Sequence, residues 1–577
     1  MTAFRLPVFY YLHYFAWCSE RQRLRMIKPL SISPILYLVA GAFAVPHDAH
    51  TLKAEPVCTL INLGYATYQG TSLEAGINQY LGLRYAAPPV GDRRWRAPED
   101  PVPEDGTQDA TKFGPICIGT GQAFSNTTAE DCLYINVFTP SNATVHSKLP
   151  VWINIQGGGY ATNANANYNG TQAVMSSKNN IVLVNFNYRV GAFGFLASEK
   201  VRANGTLNVG LLDQRKALEW LQKYIQLFGG DPDHVVIHGA SAGAGSIAYQ
   251  LTAYGGQDDG LFVGAIAESP FFPTHRTVAE MEFQFDRFAS NVSCDANSED
   301  VMTCLRSQDA ATLQQANVVS PYPERINESR WYFLPVVDGD FSPDLLYNLL
   351  EQGKFVNVPT IVGDDTDEGE SFAVNATTNE EFLQSLVDNY PNLSSGDLEK
   401  INASYPLLPP LPAHALWFHT AAQAYGDSTF TCAGNKIAIS VSNYTGRQSS
   451  WNYHYNVVDN KGAASGNGVP HTAETPAIFG PPNGNCKNLT NTADACSYYT
   501  YNRAIVPVVM NYWISFVRSL NPNTYRAPGS PVWENWGLGV HERRLKFQTN
   551  DTVMEDVPSV MRSRCELWKE LAAVTEQ

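Results

Sequence analysis

The stretch "HVVIHGASAGAGSIAYQLTAY", His234–Tyr254, holds the turn on which the fold depends. Its first six residues, "HVVIHG" (His234–Gly239), are β-branched and apolar enough to read as a buried strand, and "SIAYQLTAY" (Ser246–Tyr254) reads as helix. Between them, Gly239, Ala240, Ala242 and Gly243 surround Ser241. Small residues let a strand turn into a helix so tightly that the serine side chain is thrust out above the sheet. A packing turn with an incidental serine has the same composition, so the neighbouring segments must decide between the two.

Those segments alternate in type. "LPVWINIQ" (Leu149–Gln156) and "NIVLVNFNY" (Asn180–Tyr188) read as buried strands. Leu211–Gly229 carries apolar residues at Leu211, Leu212, Leu218, Leu221, Ile225 and Leu227 with charges between, the pattern of an amphipathic helix. Strand, helix, strand, turn and helix in succession imply an α/β fold with a large, mostly parallel central sheet and helices on both faces. "VPTIVGDD" (Val358–Asp365) and "WNYHYNVVD" (Trp451–Asp459) add later strands to the same sheet. No repeat, low-complexity tract or linker interrupts the chain, and one domain is expected over residues 45–577.

Composition narrows the function. The chain has 577 residues, 44% hydrophobic and 16% charged, with a formal charge of −16. The excess of acid argues against a phosphate-binding surface, so no nucleic-acid partner is expected. Residues 1–44 read as an extension and a leader. "MIKPLSISPILYLVAGAFA" (Met26–Ala44) has a basic start, an apolar run and an A-x-A end, as a cleaved secretory signal does. A retained signal anchor is the alternative, but the run is shorter than the ~20 residues a span needs. After cleavage no membrane association is expected. Twelve N-x-S/T sequons agree with secretion. So do the close pairs Cys117/Cys132, Cys294/Cys304 and Cys486/Cys496, which lack zinc-site spacing. Cys432 and Cys565 are candidates for a long-range bridge, and Cys58 is expected to be the free thiol left after cleavage.

If Ser241 is a nucleophile, it needs a base, and the base needs an orienting acid. "VPTIVGDDTDEGES" offers Asp364, Asp365, Asp367, Glu368 and Glu370 directly after a strand. A solvated loop or a calcium site would be equally acidic, but the spacing does not fit an EF-hand. His471 lies on a glycine-rich loop after a later strand. Upstream, "VWINIQGGGYA" ends a strand with Gly157, Gly158 and Gly159, where N–H groups can converge on an oxyanion without a Cβ in the way. The order is Ser, acid, His, with each part following a strand.

Longer motifs then carry a resemblance. "GLRYAAPPVGDRRWRAP" (Gly82–Pro98), "EDCLYINVFTP" (Glu130–Pro140), "FNYRVGAFGFL", "NVGLLDQRKALEWLQKYIQLFGGDPDHVVIHGASAGAGS", "GDDTDEG" and "GVPHTAETPAIFG" are similar to the type-B carboxylesterase/lipase family of the cholinesterase superfamily of α/β-hydrolases. "IQGGGY" with "GASAGAGS" resembles its secreted fungal esterases most nearly. The resemblance implies Ser241 as nucleophile, Glu368 as triad acid and His471 as general base. It implies Gly158, Gly159 and Ala242 as oxyanion-hole donors. It also implies the disulfides Cys117–Cys132, Cys294–Cys304 and Cys432–Cys565. "RWYFLP" is similar to the family's acyl-pocket loop, which makes Trp331 and Phe333 lining candidates; Tyr160, Phe271 and Phe272 are further candidates. Neither metal nor organic cofactor is expected.

Departures from the family pattern narrow the substrate. Ala240 stands where many relatives have Glu, and Gln156 where many have His or Tyr. The Cys117–Cys132 loop, "CIGTGQAFSNTTAEDC", has no tryptophan to receive choline through a cation–π contact. It is also short and polar, unlike a lipase lid. The expected activity is therefore hydrolysis of small soluble esters through an acyl-enzyme. A lipase for longer acyl chains and a non-catalytic cholinesterase-like binding protein are the alternatives. The oligomeric state is left open.

Overall fold

Runs of apolar residues without polar alternation form the centre of an eleven-stranded sheet. The computed structural model describes residues 57–577 except 164–166, 326, 445–448, 485, 487–495 and 538–541. The expected leader, residues 1–44, and the sequon at Asn488 lie outside the described residues. In chain order the strands are β1 (Thr71–Leu73), β2 (Ile77–Arg84), β3 (Tyr134–Pro140), β4 (Leu149–Ile155), β5 (Val182–Phe186), β6 (Gly230–Ala240), β7 (Gly264–Glu268), β8 (Thr360–Asp365), β9 (Ser450–Tyr455), β10 (Arg543–Phe547) and β11 (Val553–Asp556). Their spatial order is β11-β10-β9-β8-β7-β6-β4-β5-β3-β2-β1. The pairs from β5 through β4, β6, β7, β8 and β9 to β10 are all parallel. The outer pairs are antiparallel.

Register explains why these strands need cover on both sides. Val151, Ile153 and Ile155 of β4 pack into one core while Trp152 enters the other, and Val235 and Ile237 alternate with Val236 on β6 in the same way. Helices α1 (Val209–Tyr224), α2 (Ala242–Gly256) and, further on, α4 (Cys432–Tyr444) close the first core with Leu218, Leu221, Ile247, Leu251, Ile437 and Val441. Helix α5 (Ile505–Ser519) closes the second with Val509, Trp513 and Phe516. Preceding α4 is α3 (Phe418–Gly426), joined to it by the π-helical turn Asp427–Thr431. The last helix is α6 (Ser559–Thr575).

The helix expected over Leu211–Gly229 starts earlier, and its last turn tightens to a 3₁₀ form over Ile225–Phe228 before Gly229 ends it at φ +85°. All four expected disulfides are present: Cys117–Cys132, Cys294–Cys304, Cys432–Cys565 and Cys486–Cys496. The expectation of a free thiol at Cys58 is corrected, because Cys58 is itself disulfide-bonded. That expectation came from counting an odd number of cysteines after cleavage, and parity says nothing about geometry. No described helix is long and apolar enough to cross a membrane.

Candidate active site

Ser241 sits between β6 and α2 with φ +59° and ψ −126°, a strained conformation for a residue with a Cβ. Surrounding hydrogen bonds hold it there. Its N–H donates to the Glu268 carbonyl at 2.9 Å, and its carbonyl accepts from Gly245 at 2.9 Å and Phe271 at 3.1 Å. The turn is tight enough that a Cβ on Gly243 would stand 2.0 Å from the Ile155 carbonyl oxygen.

The glycine run after β4 passes beside this elbow. A Cβ on Gly157 would lie 3.0 Å from the Ser241 Cβ. Gly158 and Gly159 adopt φ +112° and +63°, which turns the backbone back on itself. Neither of their N–H groups has an acceptor among the described residues, and Ala242, wholly buried, opens α2 beside them. Gly159 lies under the Trp331 indole so closely that a Cβ would be 2.0 Å from the ring.

Glu368 and His471 come from the loops after β8 and β9. His471 Nδ1 is hydrogen-bonded to Glu368 Oε2, and Glu368 Oε1 accepts the Asp365 N–H at 2.8 Å. The carboxylate is 2% exposed. His471 Nε2 is buried and has no hydrogen-bond partner among the described residues. The imidazole is flanked by Phe430 at 4.4 Å and Phe372 at 5.1 Å between ring centres. Those rings lead back to the elbow. Phe430 meets Phe271 at 5.7 Å, and Phe271 in turn meets Trp331 at 5.2 Å. Trp331 donates through Nε1 to the Tyr425 hydroxyl at 2.9 Å, and Arg330 lies over both Trp331 and Phe372.

The structure thus groups Phe271 and Trp331 of the expected lining. Tyr160 is buried at φ +58° between Phe271, Phe195 and Tyr249. Phe272 instead packs on Tyr347, and Phe333 on Phe288 and Tyr332, in the core behind. Phe372, Phe430 and Tyr425 escape a reading of the sequence. Phe430 rides on the π-helical turn, a feature with no clear sequence signature.

The remaining acids of the β8 loop have different fates. Burial pushes Asp364 up to about 6 against the pull of Arg544, and pushes Glu370 up to about 8 with help from Asp367. Burial also raises Asp367, whose Oδ2 accepts the Val469 N–H at 2.7 Å. Asp365 is raised well above the carboxylate range, first by burial and then by Glu474 and Glu368. Among the described residues no three His, Cys, Asp or Glu side chains converge to hold a metal ion.

A model of the carboxylesterase family matches residues 58–568. The chain belongs to the carboxylesterase family. As a carboxylesterase it is a carboxylic ester hydrolase, and its sheet and helices are those of the α/β-hydrolase fold. The reading as a non-catalytic binding protein gives way to this. A crystal structure titled as EstA of Aspergillus niger is 56% identical to the carboxylesterase, with a TM-score of 0.86 over 91% of this chain and 99% of that one. A solved PNB esterase is 26% identical, with a TM-score of 0.72 over 88% of this chain and 99% of its own. A protein named secreted lipase 4 from Gibberella zeae is 30% identical, over 94% of this chain and 97% of that one.

Proposed function

We propose that the chain is a secreted serine esterase in which Ser241 is the nucleophile, His471 the general base and Glu368 the orienting acid. In this reading residues 45–577 are one hydrolase domain released from a cleaved leader. The observation that carries it is the state of the His471 ring. A buried carboxylate fixes one nitrogen, while the other is buried without a partner, a costly arrangement unless a reacting hydroxyl completes it. Catalytic hydrogen bonds in unliganded sites are often open until substrate binds.

The steps follow. His471 Nε2 takes the Ser241 proton, and the hydroxyl oxygen attacks the ester carbonyl. The N–H groups of Gly158, Gly159 and Ala242 receive the oxyanion. Glu368 stabilises the imidazolium, which returns its proton to the departing alcohol. Water then repeats the cycle on the acyl-enzyme and releases the acid.

Small soluble esters fit the rim. The Cys117–Cys132 loop forms no helix, and it is pinned by Thr120 N–H to the Ala161 carbonyl at 2.8 Å and by Gly121 N–H to the Asn317 carbonyl at 2.8 Å. A loop tied down in this way is not built to swing as an amphipathic lid. A lipase reading is favoured by the name of the Gibberella zeae relative and by that of lipase 2 from Geotrichum candidum, which is 33% identical over 58% of this chain. Secretion and glycosylation are supported by the four disulfides and by all eleven described sequon asparagines being exposed.

A chain-length series of acyl esters, assayed with and without an oil–water interface, separates the readings. The expected result is highest kcat/KM on short soluble esters, no jump at the interface, and a loss on the order of 10⁴ in Ser241→Ala. A steep rise in rate at the interface would favour the lipase, and full activity in Ser241→Ala would remove the triad.

A further inference from the structure

Around the candidate triad acid Glu368 lie three further buried acids that the reaction steps leave unused. Glu268, Asp365, Glu368 and Glu474 are each 0–2% exposed. Glu268 ends β7, Asp365 ends β8, and Glu474 comes three residues after His471. No lysine or arginine is ion-paired to any of the four among the described residues. Among the described residues the ion-pairing partners of this group are two imidazoles. His471 serves Glu368, and His238 Nε2 meets Glu268 Oε1 at 2.6 Å, where Trp513 Nε1 also donates at 2.6 Å. Asp365 and Glu474 therefore have no positive partner. Full ionisation of this group would leave adjacent buried charges with too few counter-ions, which burial and mutual repulsion oppose.

The local hydrogen bonds sharpen the point. The Asp365 and Glu474 side chains lie within hydrogen-bonding reach of one another. Asp365 Oδ2 accepts from Ala473 N–H at 3.3 Å, and Glu474 Oε1 accepts from the Tyr453 hydroxyl at 3.2 Å. Asp365 Oδ1 and Glu474 Oε2 are both buried and have no donor among the described residues. A proton held between the two neighbouring carboxyls would supply a donor to these acceptors. The position also matters. Asp367 ties the two loops on one side, its carboxylate and N–H both bonded to Val469. Asp365 and Glu474 tie them on the other, with the Glu368–His471 contact between.

We propose that Asp365 and Glu474 share one proton as a carboxylic acid–carboxylate pair, and that they are positioning residues that lock the Glu368 loop to the His471 loop. The inference rests on the reading of Ser241, Glu368 and His471 as a triad. The groups facing the pair are Glu268 from β7, Glu368 from its own loop, Tyr453 and Tyr455 from β9, and Tyr498. None is cationic among the described residues; Glu268 and Glu368 oppose loss of the shared proton, while the Tyr453 hydroxyl donates to Glu474. Loss of that proton at alkaline pH puts two buried carboxylates in contact, pushes the loops apart and moves His471.

The test compares Asp365→Asn, Glu474→Gln and Asp365→Ala with wild type in kcat and KM on a soluble p-nitrophenyl ester across pH. Each amide variant keeps one carboxylate and gives it a permanent N–H donor. Asp365→Asn and Glu474→Gln should hold kcat within about threefold near neutral pH and carry activity further into the alkaline range. Asp365→Ala removes the tie and should lower kcat roughly 100-fold with little change in KM. A loss in both amide variants equal to that of Asp365→Ala, with the alkaline limb unmoved, overturns the proposal. Should the variants fail to fold, the infrared spectrum at neutral pH decides. Because Glu370 and Glu576 are also pushed up, to about 8 and about 7, the spectrum is read in a Glu370→Gln, Glu576→Gln background. A remaining carbonyl band of a protonated buried carboxyl supports the pair, and its absence overturns it. Organophosphonate labelling of Ser241 in wild type is the separate check on the triad. If labelling fails, the triad reading fails, whatever the amide variants do.

Discussion

Gly243 shows how little tolerance a single residue has in this site. A Cβ there would meet the Ile155 carbonyl oxygen at 2.0 Å, and a Cβ on Gly239 would meet the Gly243 carbonyl carbon at 2.4 Å. Both obstacles are backbone, one on β4 and one in the elbow itself, so no side-chain rotation relieves them. Gly159 differs, because the atoms a Cβ would meet belong to the Trp331 ring. Gly243→Ala should therefore destabilise the fold by roughly 1–3 kcal/mol. Because β4 is fixed by both neighbours in the sheet, the strain falls on the elbow and displaces Ser241, lowering kcat about 100-fold. Urea unfolding and steady-state kinetics on one preparation check both effects. Unchanged kcat with lowered stability would show that the serine does not depend on the tightness of the turn.

At the scale of elements, the Cys432–Cys565 disulfide joins α4 to α6 across a separation of 133 residues. Helix α4 continues the π-helical turn that presents Phe430 to His471, so the bond braces one wall of the site from behind. Closing so long a loop restricts the unfolded chain, an effect of about 5 kcal/mol in the chain-entropy account. Replacing both cysteines by alanine should lower the thermal midpoint by several degrees while leaving KM on a short ester nearly unchanged. Calorimetry alongside kinetics measures it; a midpoint equal to wild type would mean that the helices are held by packing alone. These elements also show what the sequence could and could not reveal. Strands such as Val182–Phe186 were legible because central parallel strands are buried on both faces and carry no polar alternation. The edge strands β1 and β11 escaped because they are short, and the inner eight-residue β2 because its apolar and polar residues are mixed. Ser241, Glu368 and His471 were legible as loop residues following strands. Phe372 and Phe430 were not, because tertiary packing alone brings them to the imidazole. Asp365 and Glu474 read as ordinary loop acids; only burial sets them apart.

For the whole molecule, burial of acids sets the pH at which the fold is most stable. Glu370 and Glu474 are pushed up to about 8, Glu576 to about 7, and Asp364 and Asp427 to about 6, in each case chiefly by burial. Unfolded, these carboxyls release their protons near pH 4. Between that value and their raised values the native state binds more protons than the unfolded chain, so stability is lost as pH rises from about 4 and levels off once it passes about 8. The opposite limb comes from His275, which burial lowers to about 4, and from Glu555, which His454 and Arg544 hold down to about 2. In the unfolded chain His275 gains a proton below about pH 6.5 and Glu555 below about pH 4.3, so the stability they contribute is lost as pH falls. The net charge of −16 adds self-repulsion on the alkaline side. Five raised carboxyls outweigh the single His275 above about pH 5, so the thermal midpoint should peak at about pH 4 to 5 and decline toward pH 9. A scan by calorimetry from about pH 4 to about pH 9 at constant ionic strength measures it, with Glu474→Gln as the internal control, because removing that titration should flatten the alkaline decline. A midpoint that rises steadily to pH 9 would mean that the buried carboxyls are ionised in the native state, and would overturn the account built on the lack of a Lys or Arg partner for Asp365 and Glu474 among the described residues.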